Sequence, residues 1–540
     1  MGSERKKTQE PCSPKQQVAT DKNPDKSIAV LPFKNLSPDE ENQYFADGVM
    51  DGILNHLSKI QDLRVASRSS TEKYRENIPS AQQMAEELNV TYLLEASVFK
   101  SEDKIRVTAQ LIQAANDEHL WSEQYDRELK DIFKVMSDIS QQVASEIKTV
   151  ITPDTREAIE TPPTQNIEAF DLQMKGWHYL KMFQKSGNSS YLDMGQKLFE
   201  QVIDLDPNFT IGYSGLGSIY SHKGMADSTL KYARKIIKLD PENSDGYYKR
   251  AYYYWATIQP DLAIADYKKS IEMGPPTHYV YLNLGQLYLA NKKDVRNGIK
   301  YINKAFEIAR EEDPMMDPVM LAFSGYPFML TGQYDIAEKY IKEALEWQVG
   351  CSGIRLLCLN FSLQGKFDRI GQFLDSACQV MECNSICTMI RFFLSVQSEN
   401  WEEAKHHYQQ WDDNNLKEGS SGNLYWAYVL KKTGHPVEAD SIARYDLSKS
   451  EQDVGKKYGN IIYRLSQIHA FLNQKEEALK YLRAYEGLER AFTYYDYILI
   501  DPLFENLRDD PEFLEIVKNA HEEKAEIRKQ VEQLEREGLL

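Results

Sequence analysis

Three proline-containing loops recur at a fixed interval in the middle of the chain. Pro207 in LDPNF, Pro241 in LDPEN and Pro275 in MGPPT follow one another at intervals of 34 residues. The sequence after Asn166 is otherwise continuous helix-forming sequence, so a period of this length is typical of repeated helical hairpins. A single hairpin cannot bury its own apolar face, and the period therefore predicts an array in which each hairpin stacks on the next.

Small and aromatic residues return at the same points of each period. A small residue stands at Gly217, Ala251 and Gly285, where it lets two helices approach closely. Large or aromatic side chains fill the sites around it, namely Tyr213, Leu216, Tyr220, Tyr247, Arg250, Tyr254, Tyr281, Leu284 and Tyr288. This register resembles that of tetratricopeptide repeats, and the resemblance implies a superhelix of helical hairpins.

More degenerate copies of the pattern extend on both sides of the three clear repeats. We predict a superhelix of about nine helical hairpins over residues 167–511. The following residues, 512–540, are rich in charge and are predicted to form a helix that caps the array, because a repeat array needs a polar terminal face.

The first part of the chain mixes strand and helix patterns. Strands are predicted at SIAVLPF, LRVASRSS, TYLLEASVFK, KIRVTAQLIQAA and EHLWSEQYD, and helices at 38–60, SAQQMAEELNV and LKDIFKVMSDISQQVASEIKTVI. The predicted fold class is therefore an α+β N-terminal domain, residues 27–151, followed by an all-α tetratricopeptide repeat superhelix. Residues 1–26 are predicted to be a disordered linker, and residues 152–166, with three prolines, a second linker.

A second resemblance covers residues 27–150. The segments IAVLPFKNLSPDEENQYFADGVMDGIL, LRVASRSSTEKYR and MAEELNVTYLLEASVFKSEDKIRVTAQLIQAANDEHLWSEQYDRELKDIF resemble the TolB N-terminal-like (FlgO-like) domain. Ala96 in EASV departs from the pattern, since relatives often carry glycine there. The resemblance implies the sensor portion of a bacterial membrane-bound regulator, either a winged-helix or AraC-type transcription factor or a class III adenylate cyclase.

The junction after the first strand could be read as a nucleotide site, but its residues favour a structural interpretation. Ser37, Pro38 and Glu40 have the spacing of a capping box with a proline start, which predicts a helix from Pro38. Acidic side chains at 39–41 would repel a phosphate at that helix end. Asp47 in Ala46-Asp47-Gly48 could present a carboxylate, although close helix packing explains the small residues equally well.

Charge limits the classes of partner. Lys and Arg number 64 against 82 Asp and Glu, and the formal net charge of −18 opposes a sequence-independent grip on nucleic acid. We therefore expect no direct nucleic acid binding by this chain. No stretch approaches the roughly 20 apolar residues of a membrane span, so membrane attachment is expected only through an anchor outside this sequence.

Five cysteines lie in one helical region, at Cys351, Cys358, Cys378, Cys383 and Cys387. They form no CxxC pair, have no histidine among them and stand on an apolar background, which favours buried structural thiols over a metal site. We expect neither a metal nor a cofactor.

The inner wall of a tetratricopeptide superhelix is lined by the first helix of each repeat, and ligand recognition is expected there. By register the predicted ligand-binding residues are Trp177, Tyr248, Tyr252, Trp255, Tyr279, Gln286 and Tyr326. Aromatic rings with polar atoms bury much area at a small entropic cost and suit a peptide or a glycan. The alternative is that these rings only pack against adjoining repeats.

Two functions of different classes remain open from the sequence. The first is a non-enzymatic sensor or scaffold that binds a protein, a peptide or a small ligand, alone or as a homo-oligomer, because the strong motifs are architectural and assemble no catalytic set. The second is part of an enzyme, with an adenylate cyclase catalytic domain elsewhere in the parent or a site at the domain seam. The resemblance places the region in the periplasm, whereas the cysteines and the basic SERKK favour the cytoplasm.

Overall fold

The computed structural model describes residues 26–538 except 40–41, 76–77, 187, 275–276, 291–292, 313–324, 326–327, 330–331, 348–350, 381–383, 413–421, 454–458, 487–497 and 499. The chain divides into two compact units. One unit contains the residues up to Leu36 and Val49–Glu160, and the other contains Ser37–Gly48 and Thr161–Leu540. Among the described helices, none combines the length and apolarity needed to cross a bilayer.

The first unit is built on a mixed sheet. Its described strands are β1 Ser27–Val30, β2 Lys34–Asn35, β3 Arg64–Val65, β4 Tyr92–Ser101, β5 Lys104–Gln113 and β6 Glu118–Glu128. The order across the sheet is β3-β1-β4-β5-β6, and β2 pairs with β4. Strand β1 runs parallel to both neighbours and β4, β5 and β6 are antiparallel. The predicted α+β class is therefore confirmed for this unit.

The sequence of each strand fits its place in the sheet. Ile28, Ala29 and Val30 in β1 are fully buried, as expected for a central strand in parallel pairing, which is covered on both faces. At the sheet edge, β6 is mostly exposed and correspondingly polar. The turns that link β4 to β5 and β5 to β6 place Glu102 and Asp117 at φ 49° and 53°.

The helices of this unit are α2 Arg68–Glu72, α3 Ala81–Leu88, α4 Ile132–Glu146, α5 Pro153–Glu160 and the part of α1 Gln43–Ser58 that starts at Val49. Ser80 caps α3 through a reciprocal capping box with Gln83. Helices α1 and α4 approach closely at Gly52, where a Cβ atom would lie 2.4 Å from the sulfur of Met136.

Two boundaries predicted from the sequence differ from the structure. Helix α1 begins at Gln43 rather than Pro38. The cause is β2: Lys34 and Asn35 pair with β4, and the Leu36 amide donates to the Val98 carbonyl (2.8 Å), so the chain stays extended and must turn before it can start a helix. The predicted linker 152–166 contains α5, and the two units divide at the end of that helix.

The second unit is helical. Its described helices are α6 Ile167–Ser186, α7 Ser190–Leu205, α8 Thr210–His222, α9 Ala226–Leu239, α10 Ser244–Ala256, α11 Pro260–Met273, α12 His278–Ala290, α13 Val295–Glu312, α14 Tyr334–Trp347, α15 Cys351–Leu363, α16 Phe367–Val380, α17 Asn384–Gln397, α18 Trp401–Asp412, α19 Gly422–Lys432, α20 Pro436–Asp453, α21 Gly459–Phe471, α22 Lys475–Glu486 and α23 Pro511–Arg536. Within the described ranges they form eight consecutive pairs, from α6/α7 to α12/α13 and from α15/α16 to α21/α22, with α14 between the two series.

The repeat pattern is explained by specific contacts. A Cβ atom on Gly285 in α12 would lie 2.7 Å from Ile302 in α13, so the small residue lets the two helices of that hairpin touch, as predicted. At Gly217 the close neighbour is instead Lys249 of the following hairpin, at 2.6 Å. The aromatic residue four positions earlier secures the loop: Tyr213 donates a hydrogen bond to the Pro207 carbonyl, and Tyr247 to the Pro241 carbonyl, both at 3.0 Å.

Helix α23 follows the array and contacts two parts of it. Phe513, Ile516 and Val517 join the apolar cluster of α21 and α22, so the start of the helix covers the last hairpin. Ile527 and Val531 belong to a different cluster, formed with residues of α12 to α17. The sequence predicted a terminal cap and gave no indication of this second set of contacts.

Candidate ligand-binding surface

Helix α10 carries the densest group of predicted ligand-binding side chains. Tyr248, Tyr252 and Trp255 are spaced i, i+4 and i+7 and therefore share one face of this helix. All three are half-buried. The rings of Tyr252 and Trp255 lie 5.7 Å apart between centroids, and the Tyr252 hydroxyl donates to the Ser221 carbonyl of α8 (3.2 Å). The surface thus spans α8 and α10.

Tyr248 has a packing role beside any role in binding. Its ring lies 5.9 Å from that of the buried Tyr267, and it borders the apolar cluster of α10, α11 and α12. Burial, and then the nearby Asp245 carboxylate, raise the pKa of Tyr248 to about 12, against the opposing effect of a hydrogen bond with Asn283. The hydroxyl therefore stays protonated at neutral pH. Trp255 borders the same cluster.

A polar network lies beside these rings. The Lys249 ammonium donates to Asp245 (2.8 Å) and to the Ser218 hydroxyl (3.1 Å), and Ser214 donates to the other oxygen of Asp245 (2.6 Å). The Lys249 side chain is only 7% exposed. Gly217 provides the space for its stem. The ion pair, with its nearly buried ammonium and hydrogen bonds from both helices, fixes the register of α8 against α10.

Lys249 and Asp245 were not predicted from the sequence as members of this surface. The signal that could have found them is their i, i+4 spacing, which places a carboxylate and an ammonium on one helix face within a run of aromatic residues.

His222, at the end of α8, extends the same surface. Its ring lies 5.2 Å from that of Phe183 on α6, in an edge-to-face arrangement. Burial, and then the positive charge of Lys249, lower the pKa of His222 below its usual range. The imidazole is therefore neutral at pH 7 and can offer one donor and one acceptor.

The other predicted residues are distributed over two further helices. Trp177 on α6 packs edge-on against the buried Phe199, with 5.4 Å between ring centroids. Tyr279 on α12 is 44% exposed and lies 4.2 Å from the ring of His278. Gln286 on α12 is half-buried. Tyr326 lies outside the described residues. The structure thus brings three of the seven together on α10 and leaves their role in binding a prediction.

The Asp47 carboxylate has a structural partner. It accepts a hydrogen bond from the Gln43 side chain one turn earlier on α1, at 2.8 Å. The neighbouring Gly48 faces Met174 within the same unit, where a Cβ atom would approach the Met174 sulfur closely, so packing explains the small residue. Among the described residues, no cluster of His, Cys, Asp and Glu could hold a metal ion.

The described cysteines differ in state. Cys358 is a free and buried thiol, as predicted, and burial raises its pKa to about 12. Cys387 is also buried but takes part in a disulfide, so the prediction of a thiol is wrong for this residue. Sequence spacing could not indicate the bond, because pairing depends on the separation of Cα atoms in space.

Family models match two parts of the chain. Residues 24–144 match the model of the HilA/YgeH-like transcriptional regulator, second domain. Residues 244–276, 278–312 and 460–492 match the tetratricopeptide repeat, which confirms the predicted repeat type and the register at Ser244 and His278. The N-terminal region is thus similar to a domain of transcriptional regulators. The resemblance to TolB N-terminal-like domains stays a prediction.

A curated relative and solved structures complete the comparison. A putative adenylate cyclase 3 from Rhizobium meliloti (strain 1021) is 33% identical over 193 residues, which cover 36% of this chain and 32% of the relative. The matched region thus spans about a third of that relative. A tetratricopeptide repeat protein from Parabacteroides merdae is 13% identical, with a TM-score of 0.34, over 47% of this chain and 95% of its own. YrrB, described as a TPR protein with an unusual peptide-binding site, is 15% identical, with a TM-score of 0.25, over 35% and 95%.

Proposed function

We propose that this chain is the non-enzymatic recognition region of a bacterial signalling or transcriptional regulator, and that it binds a protein or peptide on the surface shared by α8 and α10. The observation that carries the proposal is the half-buried group of Tyr252, Trp255 and the Lys249–Asp245 pair. The similarity of residues 24–144 to a transcriptional regulator domain supports the regulatory role. The tetratricopeptide match supports a protein or peptide partner.

The chemistry of the surface favours a peptide over a small metabolite. The two aromatic rings provide apolar area, and rigid rings of this kind contribute most of the binding energy at many protein interfaces. The Lys249 and Asp245 side chains are committed to each other, so they orient the surface and leave the rings and the His222 imidazole as contact groups. A glycan could stack on the same rings and is the less favoured ligand.

A peptide library selected on the full chain tests this assignment. Selected peptides should bind the wild type and lose at least ten-fold in affinity on Trp255→Ala or Tyr252→Ala, as truncation of an aromatic anchor commonly costs more than about 1.4 kcal/mol. Tyr445→Ala is the matched control, because Tyr445 is 48% exposed on the distant helix α20. Equal binding by all variants would show that the site lies elsewhere.

A second candidate is motivated by the relative named as a putative adenylate cyclase: the chain would be a regulatory part of a cyclase polypeptide. Incubation of the full chain with ATP and Mg²⁺ or Mn²⁺ tests whether this chain itself has cyclase activity, and the genomic sequence on either side of it tests whether a catalytic domain belongs to the same polypeptide. We expect no cyclic AMP, because the described residues contain no cluster that could hold the metal ions of such a reaction. Turnover that a single substitution abolishes would favour the cyclase.

We further propose that this region lies in the periplasm as part of an inner-membrane regulator, with the cytoplasm as the alternative. The proposal rests on the resemblance of residues 27–150 alone. Fusion of alkaline phosphatase and of a fluorescent protein to the C-terminus in cells distinguishes the compartments, since the former is active only after export.

A further inference from the structure

The last helix carries a regular apolar stripe. Every third or fourth residue of α23 faces inward, in the alternating 4-3 spacing of a helix that packs along another element. The members are Phe513, Val517, Ala520, Lys524, Ile527, Val531 and Leu534. Lys524 is the polar member of the stripe, and it divides the helix into two differently packed halves.

The first half is firmly attached to the end of the array. Phe513, Ile516 and Val517 belong to the cluster that contains Tyr463, Leu482 and Phe504. Asp510 caps the helix by accepting from the amides of Glu512 (2.9 Å) and Phe513 (3.3 Å), and it also pairs with Lys475. This half is an anchor.

The second half is attached to a different part of the array. Ile527, Val531 and Leu534 are at most 4% exposed and join the cluster formed by α12 to α17, and α23 lies against α13. At the rim of this contact Glu537 pairs with Arg296 (2.5 Å), and both side chains are substantially exposed. Lys524 donates to the hydroxyl of Tyr334 at the start of α14 (3.2 Å).

Between the two halves the helix has little cover. His521, Glu522, Ala525 and Glu526 are exposed, and Lys524 is half-buried. A helical segment joined to its anchor by such an exposed turn can leave its groove without disturbing the anchor, because local opening follows the density of buried contacts.

We propose that the groove filled by Ile527, Val531 and Leu534 is a binding site for an amphipathic helix of a partner protein, and that the chain's own C-terminal turns occupy it as an internal competitor. The groove recognises apolar side chains at i, i+4 and i+7, followed by an acidic residue three positions later that pairs with Arg296. Helices bind to grooves in this way through anchors on one face. This site is separate from the α8/α10 surface and does not depend on it.

The C-terminal turns are covalently connected to the rest of the chain, and this connection sets how strongly they compete with a partner helix for the groove. A tethered segment acts at an effective concentration in the millimolar range, so a free helix of the same sequence should bind the resting chain poorly. A partner helix with a better apolar fit displaces the C-terminal turns of α23 from the groove. The same binding event therefore also exposes the displaced segment.

A labelled synthetic peptide of residues 521–538 tests the proposal on the full chain. Fluorescence anisotropy should show binding at least ten-fold tighter to Val531→Asp than to the wild type, because the substitution removes the internal competitor from the groove. Leu514→Asp is the matched control: an apolar residue is again replaced by the same charge, but Leu514 is 47% exposed on the first half of the same helix, and the affinity should equal that of the wild type. A peptide that itself carries Val531→Asp should not bind.

Charge exchange at the rim tests the orientation of the bound helix. In the Val531→Asp chain, Arg296→Glu should weaken binding of the peptide several-fold, and a peptide with Glu537→Arg should recover it. Trp255→Ala should leave all of these affinities unchanged, so failure here and failure of the α8/α10 assignment are distinguishable.

Amide hydrogen exchange on the wild-type chain tests the proposal without relying on the folding of any variant. An excess of the peptide should speed exchange at 527–537 and leave 513–520 protected. Equal peptide binding by wild type and Val531→Asp, or unchanged exchange at 527–537, would overturn the proposal. A concentration-dependent dimer in light scattering that Val531→Asp abolishes would also overturn it, since the occupant would then be a second copy.

Discussion

Phe199 shows how single residues set the helix spacing in the array. Its fully buried ring faces Gly176 on α6 and Gly215 on α8, where added Cβ atoms would lie 2.8 Å and 2.3 Å from ring atoms. Neither distance is compatible with a real side chain, so the ring requires glycine at both neighbours. Neither glycine belongs to the small-residue sites named from the sequence, so their role was not predicted.

Gly215→Ala should therefore destabilise the chain despite the higher helix propensity of alanine. We expect a loss of about 1–3 kcal/mol in the free energy of unfolding, as for other overpacked cores. Gly371→Ala on α16 is the control, because nothing lies within 4 Å of a Cβ atom there, and it should stabilise by about 0.5–1 kcal/mol. Denaturant unfolding measures both, and destabilisation of equal size by the two changes would contradict the packing argument.

His56 on α1 makes the stability of the first unit depend on pH. Burial, and then the charge of Lys59, lower its pKa to about 4. In the unfolded chain the imidazole titrates near its ordinary value of about 6.5, so the unfolded state binds the additional proton between these values. Stability should therefore fall as pH drops below about 6.5, and at pH 5 the expected loss is about 2 kcal/mol relative to pH 8.

The His56→Gln variant lacks this titration. Its free energy of unfolding should therefore fall by about 2 kcal/mol less than that of the wild type between pH 8 and pH 5. The comparison with the wild type cancels other histidines, among them His222 and His407, whose pKa values burial also lowers. His119→Gln is the control, since His119 is exposed on β6. Parallel pH profiles for wild type and His56→Gln would refute the role of His56.

At the scale of elements, charged pairs join helices that the repeat pattern alone would join by apolar contact. Arg250 on α10 occupies a position where the repeat pattern has a large residue, and its guanidinium binds Asp266 on α11 through two hydrogen bonds of 2.6 and 2.8 Å. Arg464 and Asp446 link α21 to α20 in a similar bidentate way. Each pair fixes the angle of two helices more narrowly than a contact between apolar side chains.

The Arg250–Asp266 pair should show strong coupling. Arg250→Met leaves the nearly buried Asp266 carboxylate without its guanidinium and should cost about 2–3 kcal/mol of unfolding free energy. Combined with Asp266→Leu, the loss should be smaller than the sum of the single losses by about 1–2 kcal/mol. A double-mutant cycle from denaturant unfolding measures this, and additive losses would mean that the pair stabilises nothing.

Elements were predictable where a periodic pattern ran through them. The hairpins at Ser244 and His278 lie in the predicted register because small and aromatic sites recur there every 34 residues. The start of α1 and the helix at Pro153–Glu160 were not predictable in the same way. Both depend on contacts with other elements: β4, far along the chain, holds β2 extended before α1, and α5 packs on the preceding helix α4.

At the scale of the whole molecule, charge is the property that determines its general interactions. A net charge of −18 repels polyanions at every approach that lacks a local basic patch. The full chain should therefore not retard a duplex DNA of mixed sequence at 150 mM salt, with a dissociation constant weaker than about 10⁻⁴ M. Micromolar binding in a gel-shift assay that weakens steeply with salt would contradict this and would indicate a basic site.

The sequence by itself determined the two-part organisation, the repeat type and the apolar faces, because periodicity and composition are local properties that survive without knowledge of neighbours. It also located the aromatic residues of α10, although Tyr326 falls outside the described residues. Only the tertiary structure decided that the Lys249–Asp245 pair of α10 bonds to the serines of α8 with its ammonium nearly buried, and that α23 returns to the middle of the array. Contacts of that kind join residues from separate hairpins, and their energy depends on distances that no local pattern encodes.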